Sequence, residues 1–372
     1  MAMDRIENLV KGKKEDKVIK NLFQGVLANE FICKGCPHYS EREEPFMTIS
    51  LQVKNKHSIR ESLEAFVEGE MLEGDNAYYC EKCEKKVNTL KRCCIKRMPN
   101  VLFMVLKRFE FNFDTMSKFK INDYCEFPMS INMREYSQEA LAKKDLARLM
   151  EDKNMTLEDL SEEQRAILDK ELPAKYYDYN LRGTVVHIGT AEQGHYISYI
   201  QDRENQPNKW FEFNDHLVKE FDPEDIANEA FGGEDDSFMA TGGLSEQMLH
   251  AMKQLKTKIK NAYILIYERD EIIDGERFTE FMDDPNINTN KQDIALRLDQ
   301  CKLAKTTSLQ IQIPPGIHDL ILEKNKKFWL SKFIFNKTYI DSVLNIFNKI
   351  PITENKDYQA ARSGDLQSQQ GD

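Results

Sequence analysis

Apolar and polar residues alternate along several stretches of this chain, and elsewhere the apolar spacing lengthens to that of a helix. PFMTISLQV (45–53) alternates and predicts a strand. VLFMVLKRFEFNF (101–113) predicts one long strand running from buried to amphipathic, with a turn over 112–118. Between them, SIRESLEAFVEGEML (58–72) sets Ile59, Leu63, Phe66 and Val67 on one helical face. Upstream, Ile6, Leu9, Val10, Val18, Ile19 and Leu22 recur at helical spacing until Gly25 opens a strand-rich stretch.

Residues 137–172 are charge-rich and predict an inserted helical hairpin, with Ser161 and Gln164 spaced as a capping box and Pro173 as a stop. Strand signals return at 181–189, 194–202, 209–215 and 261–269, each bounded by Gly, Asn, Asp or Pro, and these four are expected to share one antiparallel sheet. The glycine-rich acidic stretch 232–243 is expected to be a mobile loop, followed by a short helix over 244–258. An acidic linker (270–312) then leads to a small helical extension (313–352). One face of it carries Ile317, Leu320, Ile321, Phe328 and Trp329, and a second helix carries Tyr339, Val343, Ile346, Phe347 and Ile350. The polar tail, 353–372, is expected to be disordered. The class is α+β.

Composition narrows the partners more than the fold. With 41% hydrophobic residues, 21 Phe and 14 Tyr, the chain can fill a core although 31% of its residues are charged. A net charge of -11 repels a phosphate backbone, so no nucleic-acid partner is expected. The most apolar runs, 101–106 and 262–267, fall far short of the roughly 20 residues that span a bilayer, and no membrane association is expected. MAMDRIENLVKGKKEDK at the start lacks the apolar core of a secretory signal, which points to a reducing compartment: cytoplasm, nucleus or both. Eight cysteines, two of them adjacent at Cys93 and Cys94, do not read as a secreted disulfide framework.

Four of those cysteines carry a metal signal. Cys33-Lys-Gly-Cys36 and Cys80-Glu-Lys-Cys83 are two knuckles, each able to present two thiolates to one tetrahedral ion, and four soft donors suit structural zinc. His38 offers a further donor that four thiolates make unnecessary. Cys93, Cys94, Cys125 and Cys301 lack paired spacing and read as packed thiols.

A second constellation centres on a histidine. Gly194-His195-Tyr196 opens a strand, and Trp210-Phe211-Glu212-Phe213-Asn214-Asp215 ends the strand expected to pair with it. Such a hairpin can bring Asn214 or Asp215 beside the imidazole, fixing its tautomer and leaving the other ring nitrogen to take a proton. On spacing alone, an aromatic hairpin with a merely hydrogen-bonded histidine remains equally open.

LFQG (22–25), the two cysteine knuckles, LKRFEFN (106–112), LRGTVVHIGTAEQGHYISYI (181–200), KWFEFND (209–215), AFGG (230–233) and NAYILIYER (261–269) occur in this order. Together they resemble the ubiquitin-specific protease family of papain-like deubiquitinases, over about residues 1–269; the segment from 313 is more weakly similar to the region after the catalytic domain in very large members. The resemblance implies a palm and zinc-ribbon fingers (33–83), with ubiquitin's body on the fingers and its Gly-Gly tail in a cleft. It implies that Cys33, Cys36, Cys80 and Cys83 hold zinc, that His195 is the catalytic base and Asn214 its orienting residue, with Asp215 beside it, and that Gly194 and Tyr196 line the tail's channel. Ubiquitin and ubiquitinated proteins are the implied partners.

The family's nucleophile box, of the Gly-Asn-Thr-Cys type, does not occur in this sequence. The nucleophile is therefore expected upstream of this sequence and the thumb to be largely missing from it. Two functions are open: a thiol-dependent deubiquitinase, or a catalytically inactive ubiquitin-binding or scaffold module.

Overall fold

In a computed structural model, residues 11–12, 18–34, 36, 38–169, 172–202, 209–234, 257–273, 294, 298–301, 315–330 and 340 are described. Along the chain, a single helical turn and a half, α1 (Val18–Phe23), buries Ile19 and Leu22 and sets Phe23 5.6 Å from the ring of Phe103. Strands β1 (Gly25–Cys33) and β2 (Tyr39–Phe46) pair in antiparallel fashion, and β3 (Thr48–Gln52) begins after one residue. The single strand expected over 45–53 is thus two strands in different sheets, with Met47 as the pivot. Alternation cannot report that change of sheet, because both halves keep the same period.

Helix α2 (Ile59–Val67) starts where Ser58 Oγ accepts the Glu61 amide at 3.2 Å. It buries Ile59, Leu63 and Val67, and Phe66 packs at the margin, as the spacing predicted. Short strands β4 (Glu70–Leu72), β5 (Tyr78–Cys80) and β6 (Lys85–Val87) lead to β7 (Thr89–Arg97), which lies between β1 and β4 in a four-stranded sheet of order β2-β1-β7-β4. β5 and β6 form a separate ribbon beyond it.

The long strand expected over 101–113 is broken at Arg108 into β8 (Val101–Lys107) and β9 (Phe109–Asn112). The reason is the guanidinium, which is fully buried and needs acceptors: it donates to the carbonyls of Ala262 (2.7 Å), Ile121 (3.1 Å), Asp123 (2.9 Å) and Phe231 (3.3 Å). β9 instead makes a hairpin with β10 (Ser117–Lys120), and Asn112 Oδ1 caps the turn through the amides of Asp114 and Thr115.

After β11 (Ser130–Asn132) comes the insertion, α3 (Gln138–Lys153) and α4 (Glu162–Asp169). The Ser161–Gln164 capping box closes in both directions, at 3.0 and 3.2 Å. α3 docks on the four-stranded sheet through Arg92, whose guanidinium donates at 2.6 Å to both Glu30 and Asp145.

The rest of the chain builds the large sheet. β12 (Asp178–Gly189), β13 (Gly194–Gln201), β14 (Trp210–Asn214), β15 (Leu217–Phe221), the short helix α5 (Ile226–Ala230) and β16 (Lys260–Arg269) complete it in the order β15-β14-β13-β12-β16-β8-β3, with β11 pairing β12. The four strands predicted to share a sheet do so, and β3 joins parallel to β8. This sheet, α2 and the aromatic residues Tyr136, Tyr176, Tyr177 and Tyr179 share the main core.

Within the expected linker 270–312, the described Ile273, Ile294, Leu298 and Cys301 belong to that core, and the first compact unit extends to Ser308. The second unit, 309–372, contains α6 (Pro315–Trp329), on which Leu320 and Phe328 are exposed. The remainder of the expected helical extension, the tail 353–372, most of the 232–243 loop and nearly all of the 244–258 helix lie outside the described residues. No described helix is long and apolar enough to cross a membrane.

Candidate active site and metal site

β13 and β14 pair with Ser198 opposite Phe213 and Tyr199 opposite Glu212, and this register carries the two strand ends toward each other. His195 Nε2 lies 2.7 Å from Asn214 Oδ1. With Nε2–H donating to that amide oxygen, the ring's Nδ1 is the nitrogen left to accept a proton. The hydrogen bond goes to Asn214; Asp215 instead occupies the two-residue turn into β15 with φ 50°, a left-handed conformation that an aspartate tolerates.

Beside this pair runs a groove of about 490 Å³ between the β9–β10 hairpin and the 190–193 loop, and both Gly194 and Tyr196 line it. Its floor is aromatic. His187 is buried, with its ring centroid 5.1 Å from Phe109 and 4.8 Å from Tyr196, and Tyr263 stands 5.5 Å from Phe109. Burial first, and the nearby Lys120 ammonium second, push the His187 imidazole below its usual range, toward the neutral form. Sequence reasoning assigned nothing to His187, Phe109 or Tyr263. Their strand periodicity was visible, but periodicity does not say which of several strands converge on one groove.

All eight cysteines are placed, and none is hydrogen-bonded to His195. Cys93 and Cys94 lie in β7, and Cys125 is fully buried, its thiol pushed up to about 11 by desolvation, which suppresses the thiolate a nucleophile needs.

The knuckle cysteines converge at the far end of the four-stranded sheet. Cys33, Cys36 and Cys80 bring their sulfurs within 4.8 Å of one another, and Cys83 packs into the same small cluster. The Cys36–Cys80 separation is 3.8 Å. A tetrahedral ion with Zn–S bonds of about 2.3 Å has sulfur–sulfur edges of about 3.8 Å, so the thiols present fit zinc. His38, set aside on sequence grounds, has Nδ1 3.0 Å from Cys80 Sγ, close enough to hydrogen-bond that sulfur and orient it.

The family model described as ubiquitin carboxyl-terminal hydrolase matches residues 1–267. Human ubiquitin carboxyl-terminal hydrolase 9Y is 33% identical over 92% of this chain and 12% of that protein. Human ubiquitin carboxyl-terminal hydrolase 24 is 36% identical over 72% of this chain and 10% of that protein. The chain thus spans about a tenth of the length of these curated relatives. Among solved structures, the SAGA Ubp8/Sgf11/Sus1/Sgf73 module bound to ubiquitin aldehyde is similar at 24% identity and a TM-score of 0.49, over 73% of this chain and 48% of that one. With a family model that covers most of its length, this α+β chain belongs to the ubiquitin carboxyl-terminal hydrolase family, among relatives of the ubiquitin-specific protease type.

Proposed function

We propose that this chain carries the histidine-bearing part of a thiol-dependent deubiquitinase, which cleaves the bond after the C-terminal glycine of ubiquitin. The observation that carries the reading is the His195–Asn214 hydrogen bond, with the groove-lining Gly194 and Tyr196 on either side of His195 in β13. His195 Nδ1 takes the proton of a cysteine thiol, the thiolate attacks the glycine carbonyl, and the imidazolium returns the proton to the departing amine. Water then attacks the thioester, His195 again taking its proton, and ubiquitin leaves with a free carboxylate. Asparagine at 214 keeps the ring oriented while adding no negative charge. Gly194 and Tyr196 hold the extended tail of ubiquitin, and its body rests on the fingers, which Cys33, Cys36, Cys80 and Cys83 brace through one structural zinc.

In this reading the nucleophile comes from outside the present sequence. The placement of the eight cysteines favours a second reading on its own terms: a module that binds ubiquitin without cleaving it. One experiment separates them. The longest natural product containing this chain is treated with ubiquitin carrying a C-terminal thiol-reactive group, and plain ubiquitin binding is measured in parallel. Covalent addition that a His195→Ala change abolishes supports the hydrolase. Binding with no adduct supports the module, and the absence of both overturns the ubiquitin assignment.

A further inference from the structure

Lys120, the last residue of β10, is a cation without a carboxylate. Its ammonium donates to three main-chain carbonyls: Ile259 at 2.6 Å, His187 at 3.0 Å and Gly189 at 3.2 Å. Among the described residues it forms no ion pair, and its neighbours include another buried cation, Arg108. A half-buried charge satisfied only by carbonyls carries a desolvation penalty, offset by three charge-assisted hydrogen bonds that hold the backbone they join.

Those three carbonyls belong to two chain ends that meet at one point. Gly189 closes β12, and Ile259 immediately precedes β16; the Gly189 amide also donates to the Ile259 carbonyl at 3.1 Å. Beyond Gly189 lies the loop 190–193, whose ends are joined by Thr190 N–H to the Gln193 carbonyl at 2.8 Å, and then Gly194 and His195. Gly189 itself has φ 122°, and a Cβ there would sit 2.8 Å from the Gly194 Cα, so the loop closes tightly on its own base. Lys120 also ties in the second wall of the groove, because β10 pairs it with Phe109, whose ring meets His187.

We infer that Lys120 is a positioning residue for the histidine hairpin: its ammonium clamps the ends of β12 and β16 so that the 190–193 loop delivers His195 to Asn214 beside the groove. The Lys120 contacts are to main-chain carbonyls, not to His195 or Asn214. It acts through the loop, and its relevance to catalysis rests on His195 being the base.

The test is amide hydrogen exchange on the whole chain, with imidazole nitrogen NMR of His195 as a second readout, in wild type, Lys120→Met and Lys120→Arg. Losing hydrogen bonds to a charged donor should raise exchange at the amides of 189–195 by roughly ten- to a hundredfold. It should also broaden the single His195 tautomer signal, while amides of β1 and β7 keep their rates. The Arg variant, which retains a cation with several donors, should recover most of the protection. Unchanged exchange at 189–195 in Lys120→Met overturns the clamp, as does a uniform rise across both sheets, which would make Lys120 a general stabiliser. A Met variant that does not fold leaves the Arg variant to decide: wild-type protection with one tautomer supports the clamp, and lost protection overturns it. These readouts need no ubiquitin, so the clamp and the deubiquitinase reading fail separately.

Discussion

Gly194 lies directly against the imidazole of His187, so that a Cβ at position 194 would collide with His187 Nε2 and Cε1 and stand 2.8 Å from the carbonyl of Ile188. The strand register explains the contact. Gly194 pairs with Gly189 at the end of the β12–β13 ladder, and the His187 ring, wedged among Phe109 and Tyr196, has no room to retreat.

Gly194→Ala should therefore displace either the ring or the loop. Overpacking of this kind costs about 1–3 kcal/mol. The expected outcome is a lowered Tm together with weakened binding of a ubiquitin-tail peptide, measured by calorimetry; a variant of wild-type Tm and affinity would show that the groove floor is soft.

His195→Ala removes one hydrogen bond from a partly exposed strand end and should leave Tm within a few degrees of wild type. Activity of the intact enzyme should fall far more, by roughly 10²–10⁴-fold, the usual contribution of a general base. Asn214→Ala should show the same pattern with a smaller loss. A large drop in Tm for His195→Ala would favour a histidine that only packs.

Replacing a knuckle cysteine should act on the fingers alone. Cys80→Ser should lower bound zinc from one equivalent to none, measured by elemental analysis, and loosen the β5–β6 ribbon in hydrogen exchange while β12 to β16 keep their protection. Structural zinc contributes on the order of 10 kcal/mol to the folding of such a site, so partial occupancy with an intact ribbon would argue against zinc there.

Arg92→Met leaves Glu30 nearly fully buried without its cation and frees Asp145 from the sheet. Removing one partner of a buried ion pair costs about 3–5 kcal/mol. A denaturant melt should show that loss. The double change Arg92→Met with Glu30→Leu should recover part of it, because an apolar pair carries no unpaired charge.

The outer face of the large sheet exposes Ile200, Phe213 and Val218, with Phe213 and Val218 directly paired across β14 and β15. This stretch ends in an edge strand, β15, which invites association. Light scattering should find concentration-dependent self-association of this chain, reduced by Val218→Lys. A scattering profile independent of concentration would indicate that the face is too small to matter.

Local chemistry made much of this molecule legible in its sequence. The Ser161–Gln164 capping box marked a helix start, because the serine hydroxyl bonds the amide three residues ahead; Ser58 does the same at α2. Alternation marked β12, β13, β14 and β16 as half-buried strands, and the two cysteine knuckles announced their own convergence through ligand chemistry. That the His195 hairpin brings Asn214 or Asp215 beside the imidazole was readable too; the fold selects Asn214.

What only the tertiary structure decided depends on residues distant in sequence. Whether 101–113 is one strand or two turned on the side chain of Arg108, whose acceptors come from Ile121, Asp123, Phe231 and Ala262. The role of Lys120 emerges only when Ile259 and Gly189 are brought to its ammonium. The acidic stretch after β16 read as a linker because its few apolar residues are sparse, yet Ile294, Leu298 and Cys301 find a core surface to cover. Sequence pattern reports the period of burial along one segment; the partner that does the burying, or that accepts a buried donor's proton, is set by chain topology.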